Sequence, residues 1–484
     1  MEIIEKYDIE TEGVKIDVSI EGQAKKALAY KLSIPKIAPA THALLSEIRK
    51  RMINEISITP KEILDPRTID KMKEKFREKA NQLLEKEIKL EKDVKKIFVC
   101  FLINEMLGLG DIEFLLNDLS LEEIVITSSS EPARVYHKKY GWLSTNVTPE
   151  SEEQIVNYSN TIARRVGRQI TTLNPLLDAH IVTGDRANAV LYPISTKGNT
   201  ITIRKFARDP WTIIDLIKNG TISAKLAAML WLAVQYEVNV LISGGTASGK
   251  TSMLNVLMPF IPPNHRILTI EQTRELQLPS FLYWCPLVTR LPNAEGKGEV
   301  GMTDLLVNSL RMRPDRIILG EIRRKEEAEV LFEAMHTGHS VYATLHAETI
   351  SETITRLTNP PISVPKNMLK SVGLSLVMFR DRRKGIRRVY QLGEFIGGEE
   401  SGEVKITPNI LYRYDPLGDK VVPHAKSVVF LDNISRITGL STQEMNKDLG
   451  EKEKILESMA RKNTRSVEEV GRIKIGRASC RERV

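Results

Sequence analysis

Cysteine is scarce in this chain. Cys100, Cys285 and Cys480 are the only three in 484 residues. They are odd in number and no two stand in a C-x-x-C spacing, so neither a disulfide framework nor a cysteine zinc site is expected. Cys100 and Cys285 fall in apolar surroundings and are expected in cores. Aromatic residues make up only 6%. No RNP-like aromatic run, zinc-finger spacing or helix-turn-helix signal occurs, so nucleic acid is not expected as a partner. Long apolar runs are missing too. No stretch reaches the roughly 18 residues that a membrane-spanning helix needs, and the longest, Leu226 to Val234, reads as a buried helix. The amino end, Met1-Glu2-Ile3-Ile4-Glu5-Lys6, lacks the basic start and apolar stretch of a signal peptide. A cytoplasmic location is the expectation.

What is present is ordinary for a globular protein: 42% hydrophobic and 27% charged residues. The length predicts two to four domains. The net charge of +8 permits binding to nucleic acid or to an acidic membrane surface without requiring either.

Residues 1–97 read as a helical amino-terminal region punctuated by Pro35, Pro39, Pro60 and Pro66. From Ile69 to Leu90, Met72, Phe76, Ala80, Leu83, Leu84 and Ile88 recur at helical spacing. Residues 98–208 mix helix and strand. Phe98 to Met106 is helical, and short strands are predicted at Glu123 to Thr127, Ala133 to His137 and Trp142 to Leu143. Glu152 to Arg168 is an amphipathic helix, and Ala187 to Leu191 with Ile201 to Lys205 reads as a hairpin. A linker spans 209–222, around Ala207-Arg208-Asp209-Pro210. From 223 to 475 helices and strands alternate, which predicts a parallel sheet with helices on both faces. Gly397 to Gly402 reads as a hairpin turn. The tail 476–484 is polar, aperiodic and expected to be disordered.

The strongest chemical signal is Gly244-Gly245-Thr246-Ala247-Ser248-Gly249-Lys250-Thr251-Ser252. An apolar strand, Val238 to Ile242, precedes it and a helix, Thr251 to Leu257, follows. Strand, G-x4-G-K-T and helix together are the full P-loop context. Backbone N–H groups of such a loop cradle phosphate oxygens, and the helix N-terminus adds its positive end. Lys250 is expected to reach the β- and γ-phosphates of ATP, and the Thr251 hydroxyl to hold Mg²⁺.

Three further strands are predicted to end at this site, because ligands bind at the carboxyl ends of strands in open α/β sheets. Arg316 to Leu319 leads to Glu321, which either orients the attacking water or joins the metal shell. Arg266 to Ile270 leads to Glu271, with Glu275 a turn further on; both are candidates for Mg²⁺ or water. Val341 to Leu345 leads to His346, a candidate γ-phosphate sensor, whereas His339 at the other end of that strand is structural or a relay.

With these motifs in order, the chain resembles the hexameric ATPases of type II and type IV secretion, pilus assembly and the archaeal flagellum. Glu271-Gln272-Thr273-Arg274-Glu275 resembles their acidic box, Pro314 to Arg323 their Walker B region, and 337–347 their histidine box. Gly108-Leu109-Gly110-Asp111-Ile112 and Tyr140-Gly141-Trp142 are similar to their amino-terminal domain. The resemblance implies an α/β fold: a RecA-like P-loop domain, a preceding α+β domain and a helical amino-terminal extension. It also implies a homohexamer at the inner face of the cytoplasmic membrane, working on an integral-membrane platform protein, with ATP and Mg²⁺. Arginines of the amino-terminal domain complete the site in this family. Arg186 and Arg204, near one end of the proposed hairpin, are the candidates, with an ordinary salt bridge as the alternative for each. Two departures stand out. Gln272 replaces the usual aspartate, and a neutral amide supplies no charge to Mg²⁺, so weight moves to Glu271 and Glu321. The four-cysteine zinc module of many bacterial members is missing, so no zinc is expected and the archaeal or simplified branch is the better match. A nucleic-acid motor and a non-hydrolysing scaffold are the rival readings.

Overall fold

Val14, Ile16, Val18 and Ile20 alternate strictly with polar residues, a period of two that only a strand can satisfy. In the computed structural model they form β2 (Val14–Gly22), paired antiparallel with β1 (Glu2–Thr11). The structure describes residues 2–22, 28–35, 39–56, 68–88, 90–181, 184–206, 210–292, 296–400 and 403–473. The two-residue turn uses Glu12 and Gly13, both at positive φ (50° and 78°). This is the backbone that matches the twist of a tight hairpin, and glycine adopts it without strain. The helical reading of residues 1–97 is therefore corrected at its start. β1, β2 and β3 (Ala29–Leu32) occupy it, and among the described residues the helices are α1 (Pro39–Glu55), α2 (Ile69–Glu87) and α3 (Lys92–Leu107).

The chain divides into two compact units, Met1–Asp209 and Pro210–Val484. In the first, β1 to β3 extend the sheet built by β4 (Leu121–Ile126), β5 (Arg134–His137), β6 (Gly141–Ser144), β7 (Leu176–His180), β8 (Arg186–Val190) and β9 (Thr200–Arg204). The strand order is β1-β2-β3-β6-β5-β4-β9-β8-β7. Tyr7 and Tyr30 both donate to Asp118 Oδ2 at 2.7 Å, which ties β1 and β3 to the chain entering β4. Asp118 is buried, so two neutral hydroxyl donors are what make its burial tolerable. Phe76, Ala80, Leu83 and Leu84 of α2 pack with Leu45, Ile48 and Met52 of α1 and Leu102 and Ile103 of α3. Ile88, expected on that face, is exposed just beyond the helix. α4 (Ile112–Asn117) precedes β4, and α5 (Glu152–Arg165) is capped by the Ser151 side chain, which accepts from Gln154 N.

The second unit begins with α6 (Ile213–Lys218), inside the stretch expected to be linker, and α7 (Ala224–Gln235). Its strands are β10 (Val240–Gly244), β11 (Arg266–Glu271), β12 (Tyr283–Val288), β13 (Arg316–Leu319), β14 (Ser340–Leu345) and β15 (Leu374–Asp381), all parallel, in the order β12-β11-β13-β14-β10-β15. Val240 and Ile242 face one core, with α7, and Leu241 faces the other, with α10 (Lys325–His336). A strand buried on both faces reads as an unbroken apolar run for this reason. Each fully buried Val, Leu or Ile contributes about 1.5–3 kcal/mol.

Beyond β15 the sheet departs from the expected all-parallel order. β16 (Ile386–Glu400), β17 (Glu403–Asp415) and β18 (Lys420–Pro423) add an antiparallel extension. Gly397 and Gly398, read as part of a turn, are ladder residues opposite Ile406 and Lys405. A side chain at Gly397 would collide with the stem of Lys370. Cys100 is buried as expected, but Cys285 lies half-buried on the edge strand β12. Among the described residues no helix is long and apolar enough to cross a membrane. Residues 207–209 of the expected linker, Ser401 and Gly402 of the expected turn, Cys480 and the 476–484 tail lie outside the described residues.

Candidate active site

The loop after β10 runs into α8 (Lys250–Leu257). Two glycines there are irreplaceable on steric grounds. Gly244 has φ +152°, and a Cβ on it would lie 2.5 Å from Ser248 Oγ and 2.6 Å from the Met378 carbonyl oxygen. Gly249 caps α8 at φ 96°, in the left-handed region that L side chains avoid. Ser248 is buried and its hydroxyl donates to Gly245 O at 2.8 Å, so it serves the loop itself. Thr246, Ala247 and Ser252 are exposed and Thr251 is half-buried in the first turn of α8. The Lys250 ammonium donates to the carbonyls of Gly244 and Gly245, both at 3.0 Å. Burial holds its pKa below the usual lysine range, and Glu321 opposes that shift.

The carboxyl ends of β10, β14, β13 and β11 lie side by side, and one chain of polar contacts crosses them. Lys250 Nζ is 3.3 Å from His346 Nδ1, and His346 Nε2 is 3.1 Å from Glu321 Oε1. An ammonium has no acceptor lone pair, so Nδ1 must be the accepting nitrogen and Nε2 the protonated one. Burial first, then Lys250, lowers the His346 pKa, with Glu321 opposing. A neutral imidazole therefore bridges an ammonium and a carboxylate. Glu321 Oε2 accepts from Arg323 Nη2 at 2.7 Å, and Arg323 Nη1 donates to Gln272 Oε1 at 2.7 Å.

Glu271 ends β11 and is 2% exposed. Its Oε1 accepts from the backbone N–H groups of Glu275 and Leu276 at 2.9 and 3.1 Å, whereas its buried Oε2 has no hydrogen-bond partner. Burial raises its pKa to about 7, against the two N–H bonds that favour the anion. The folded state thus binds this proton up to about pH 7, where the unfolded chain has released it above about pH 4.5. The contribution to stability is complete below pH 4.5 and lost as pH rises through 7. At about 1.4 kcal/mol per unit, the ionised form costs on the order of 3 kcal/mol. Glu271→Gln is accordingly expected to raise the thermal midpoint at pH 8 and to leave it nearly unchanged at pH 4.5. Equal shifts at both pH values would contradict the buried-carboxyl account. Glu275 is exposed.

Glu271, with its unpartnered Oε2, ends β11, Glu321 follows the neighbouring β13, and Thr251 lies in the first turn of α8 after β10. Among the described residues no cluster of three His, Cys, Asp or Glu side chains is placed to hold a metal. One hydroxyl and one or two carboxylates fit a cation such as Mg²⁺, which keeps several waters.

Arg186 and Arg204 belong to the amino-terminal unit. They are direct partners across β8 and β9, and both are exposed. Arg186 donates from Nε and Nη2 to the two oxygens of Asp178, at 3.1 and 2.8 Å. Arg204 lies opposite Glu123 on β4, and it opposes the burial that raises the Glu123 pKa. His339 precedes β14, its Nδ1 3.2 Å from Thr337 Oγ1, away from the strand ends that carry His346. Two arginines had no role in the sequence reading. Arg323 is one. The other, Arg387 of β16, donates from Nε to the loop carbonyl of Ala247 at 3.1 Å; only the run of basic residues from Arg380 to Arg388 hinted at it.

The model of the type II/IV secretion system protein family matches residues 156–382. An uncharacterised protein of Methanocaldococcus jannaschii is 32% identical over 466 residues, covering 93% of this chain and 82% of that one. The chain belongs to this family. The type IV secretion system protein PtlH of Bordetella pertussis is 31% identical over 300 residues, 55% of this chain and 88% of its own. Among solved structures, the Legionella pneumophila ATPase DotB aligns over 75% of this chain and 94% of its own, at 18% identity and a TM-score of 0.42.

Proposed function

We propose that this chain is a motor ATPase, a ring of six subunits that hydrolyses ATP with Mg²⁺ and couples hydrolysis to movement of its domains. The observation that carries the proposal is the unbroken contact chain Lys250–His346–Glu321–Arg323–Gln272 across four adjacent strand ends, starting at the glycine loop. Lys250 exchanges its two loop carbonyls for phosphate oxygens, and residues 244–252 enclose the phosphates. Glu321 positions the attacking water or takes its proton, with Glu271 in support. His346, linked to both Lys250 and Glu321, senses whether the γ-phosphate is present. Thr251, Glu321 and Glu271 would hold Mg²⁺, which when bound would supply positive charge to the phosphates. Arg186, released from Asp178, and Arg204 complete the site as the domains close.

Membership of a secretion family supports a place at the inner face of the cytoplasmic membrane, with an integral-membrane platform protein as partner. The relatedness to a type IV secretion protein supports export or filament assembly as the work done. The test is phosphate release by the full chain, with oligomer mass read on the same samples with and without ATP. Turnover confined to a hexameric fraction is the expected result. Equal activity from a strict monomer would overturn the ring, and absence of both nucleotide binding and turnover would overturn the enzyme.

A further inference from the structure

One guanidinium joins two neighbouring strand ends. Arg323 Nε and Nη2 both reach Oε2 of Glu321, at 2.9 and 2.7 Å, while Nη1 reaches Gln272 Oε1 at 2.7 Å. Oε1 of the same carboxylate is engaged by His346. Both oxygens of Glu321 therefore face protein donors. A carboxylate whose two oxygens already meet protein donors has no free oxygen to orient a water, so one of these contacts must open first. Gln272 follows β11 and Glu321 follows β13, each two residues beyond the last ladder pair, Ile270 and Leu319, so the bridge joins the chain just past two neighbouring strand ends. Gln272 contributes a neutral amide oxygen. A carboxylate in that place would add the attraction of opposite charges to a bond that the guanidinium alone now makes charge-assisted.

We propose that Arg323 is a positioning residue that clamps Glu321 at rest, and that the neutral side chain at position 272 keeps the clamp weak enough to open. The proposal rests on the ATP-hydrolase reading, in which Glu321 handles the attacking water. The clamp is shallow. The Arg323 side chain is 52% exposed, and exposed ion pairs are screened, so residue 272 tunes turnover by a few fold. The guanidinium is not what holds the local backbone. Arg323 N and Arg324 N are both bound by Glu327 Oε2, at 2.8 and 3.1 Å, which caps α10 independently of either side chain. Side-chain variants at 323 and 272 therefore keep their fold.

The experiment measures steady-state kcat and KM for Mg-ATP on the full-length protein. The variants are Gln272→Glu, Gln272→Ala and Arg323→Lys, with Glu321→Gln as reference. Gln272→Glu is expected to lower kcat about threefold, because two carboxylates would then grip one guanidinium. Gln272→Ala is expected to raise kcat by a similar factor. Arg323→Lys should follow Gln272→Ala, since a single ammonium lacks the fork that spans both strand ends. KM stays within about twofold throughout, whereas a merely structural role would move KM and thermal midpoint with kcat. If Glu321→Gln is inactive but Gln272→Glu matches or exceeds wild type, the clamp alone is overturned. If Glu321→Gln retains full turnover, the role of Glu321 fails and the clamp falls with it. Should Gln272→Glu not fold, unchanged or lower kcat in Gln272→Ala and Arg323→Lys overturns the clamp.

Discussion

Glu321→Gln is expected to cut steady-state ATP turnover by about 10²- to 10³-fold while ATP still binds. The size follows from the loss of a positioned proton acceptor, which is worth roughly 10²–10⁴ in rate. Glutamine has the same shape as glutamate. Its carbonyl oxygen can still accept from His346 Nε2 or from Arg323 but not from both, so one of the two contacts is kept and the other is lost. What disappears is the negative charge and the basicity. Lys250, with its two loop carbonyls, is untouched, so affinity for the phosphates should stay within a few fold. A large loss of affinity instead would mean that Glu321 serves loop structure, not chemistry.

The second large effect lies at the opposite end of the same strand and concerns stability. Arg316, the first residue of β13, is fully buried. Its Nη1 donates to Ser340 Oγ at 2.7 Å and to Tyr342 OH at 2.6 Å, its Nη2 to Val234 O at 2.9 Å, and its Nε to His265 Nδ1 at 3.0 Å. A carboxylate enters at second hand, through His265 Nε2, 3.5 Å from Glu237 Oε1. The guanidinium is thus held by neutral acceptors drawn from β14, α7 and the chain leading into β11. Arg316→Met keeps most of the volume and strands those acceptors, each at a cost of about 1–3 kcal/mol. The expected loss is about 3–5 kcal/mol, read as a lower denaturant midpoint for the second unit. A loss below about 1 kcal/mol would mean that water or rearranged side chains replace the guanidinium.

The strand ends at the candidate site were legible because each is a short apolar run that leads within two residues to its candidate side chain. A parallel sheet puts all such residues at one edge, so Glu271, Glu321 and His346 converge without knowledge of the strand order. The glycine loop was legible because it is contiguous. Arg387 was not, since it reaches Ala247 from 140 residues away on an antiparallel strand, and the basic run from Arg380 to Arg388 does not say which residue turns inward. Arg323 stood two residues from Glu321, yet the direction of an exposed loop side chain is set by its partners and not by spacing. The amino-terminal strands are a different case. The alternation from Val14 to Ile20 was present in the sequence, but the helical periods further along outweighed it when the whole segment was read as one region. The long β16–β17 ladder was hidden because its glycines read as turn signals; Gly397 lies in the ladder opposite Ile406, three residues before the strand ends.

In the proposed mechanism Glu321 is the residue that handles water beside a phosphate-binding loop. Phosphate release and nucleotide affinity, measured side by side on wild type and Glu321→Gln at saturating Mg-ATP, test this most directly. The account predicts turnover by the wild type, at least about a hundredfold less by the variant, and similar affinities for both. Equal turnover by the two proteins would contradict it.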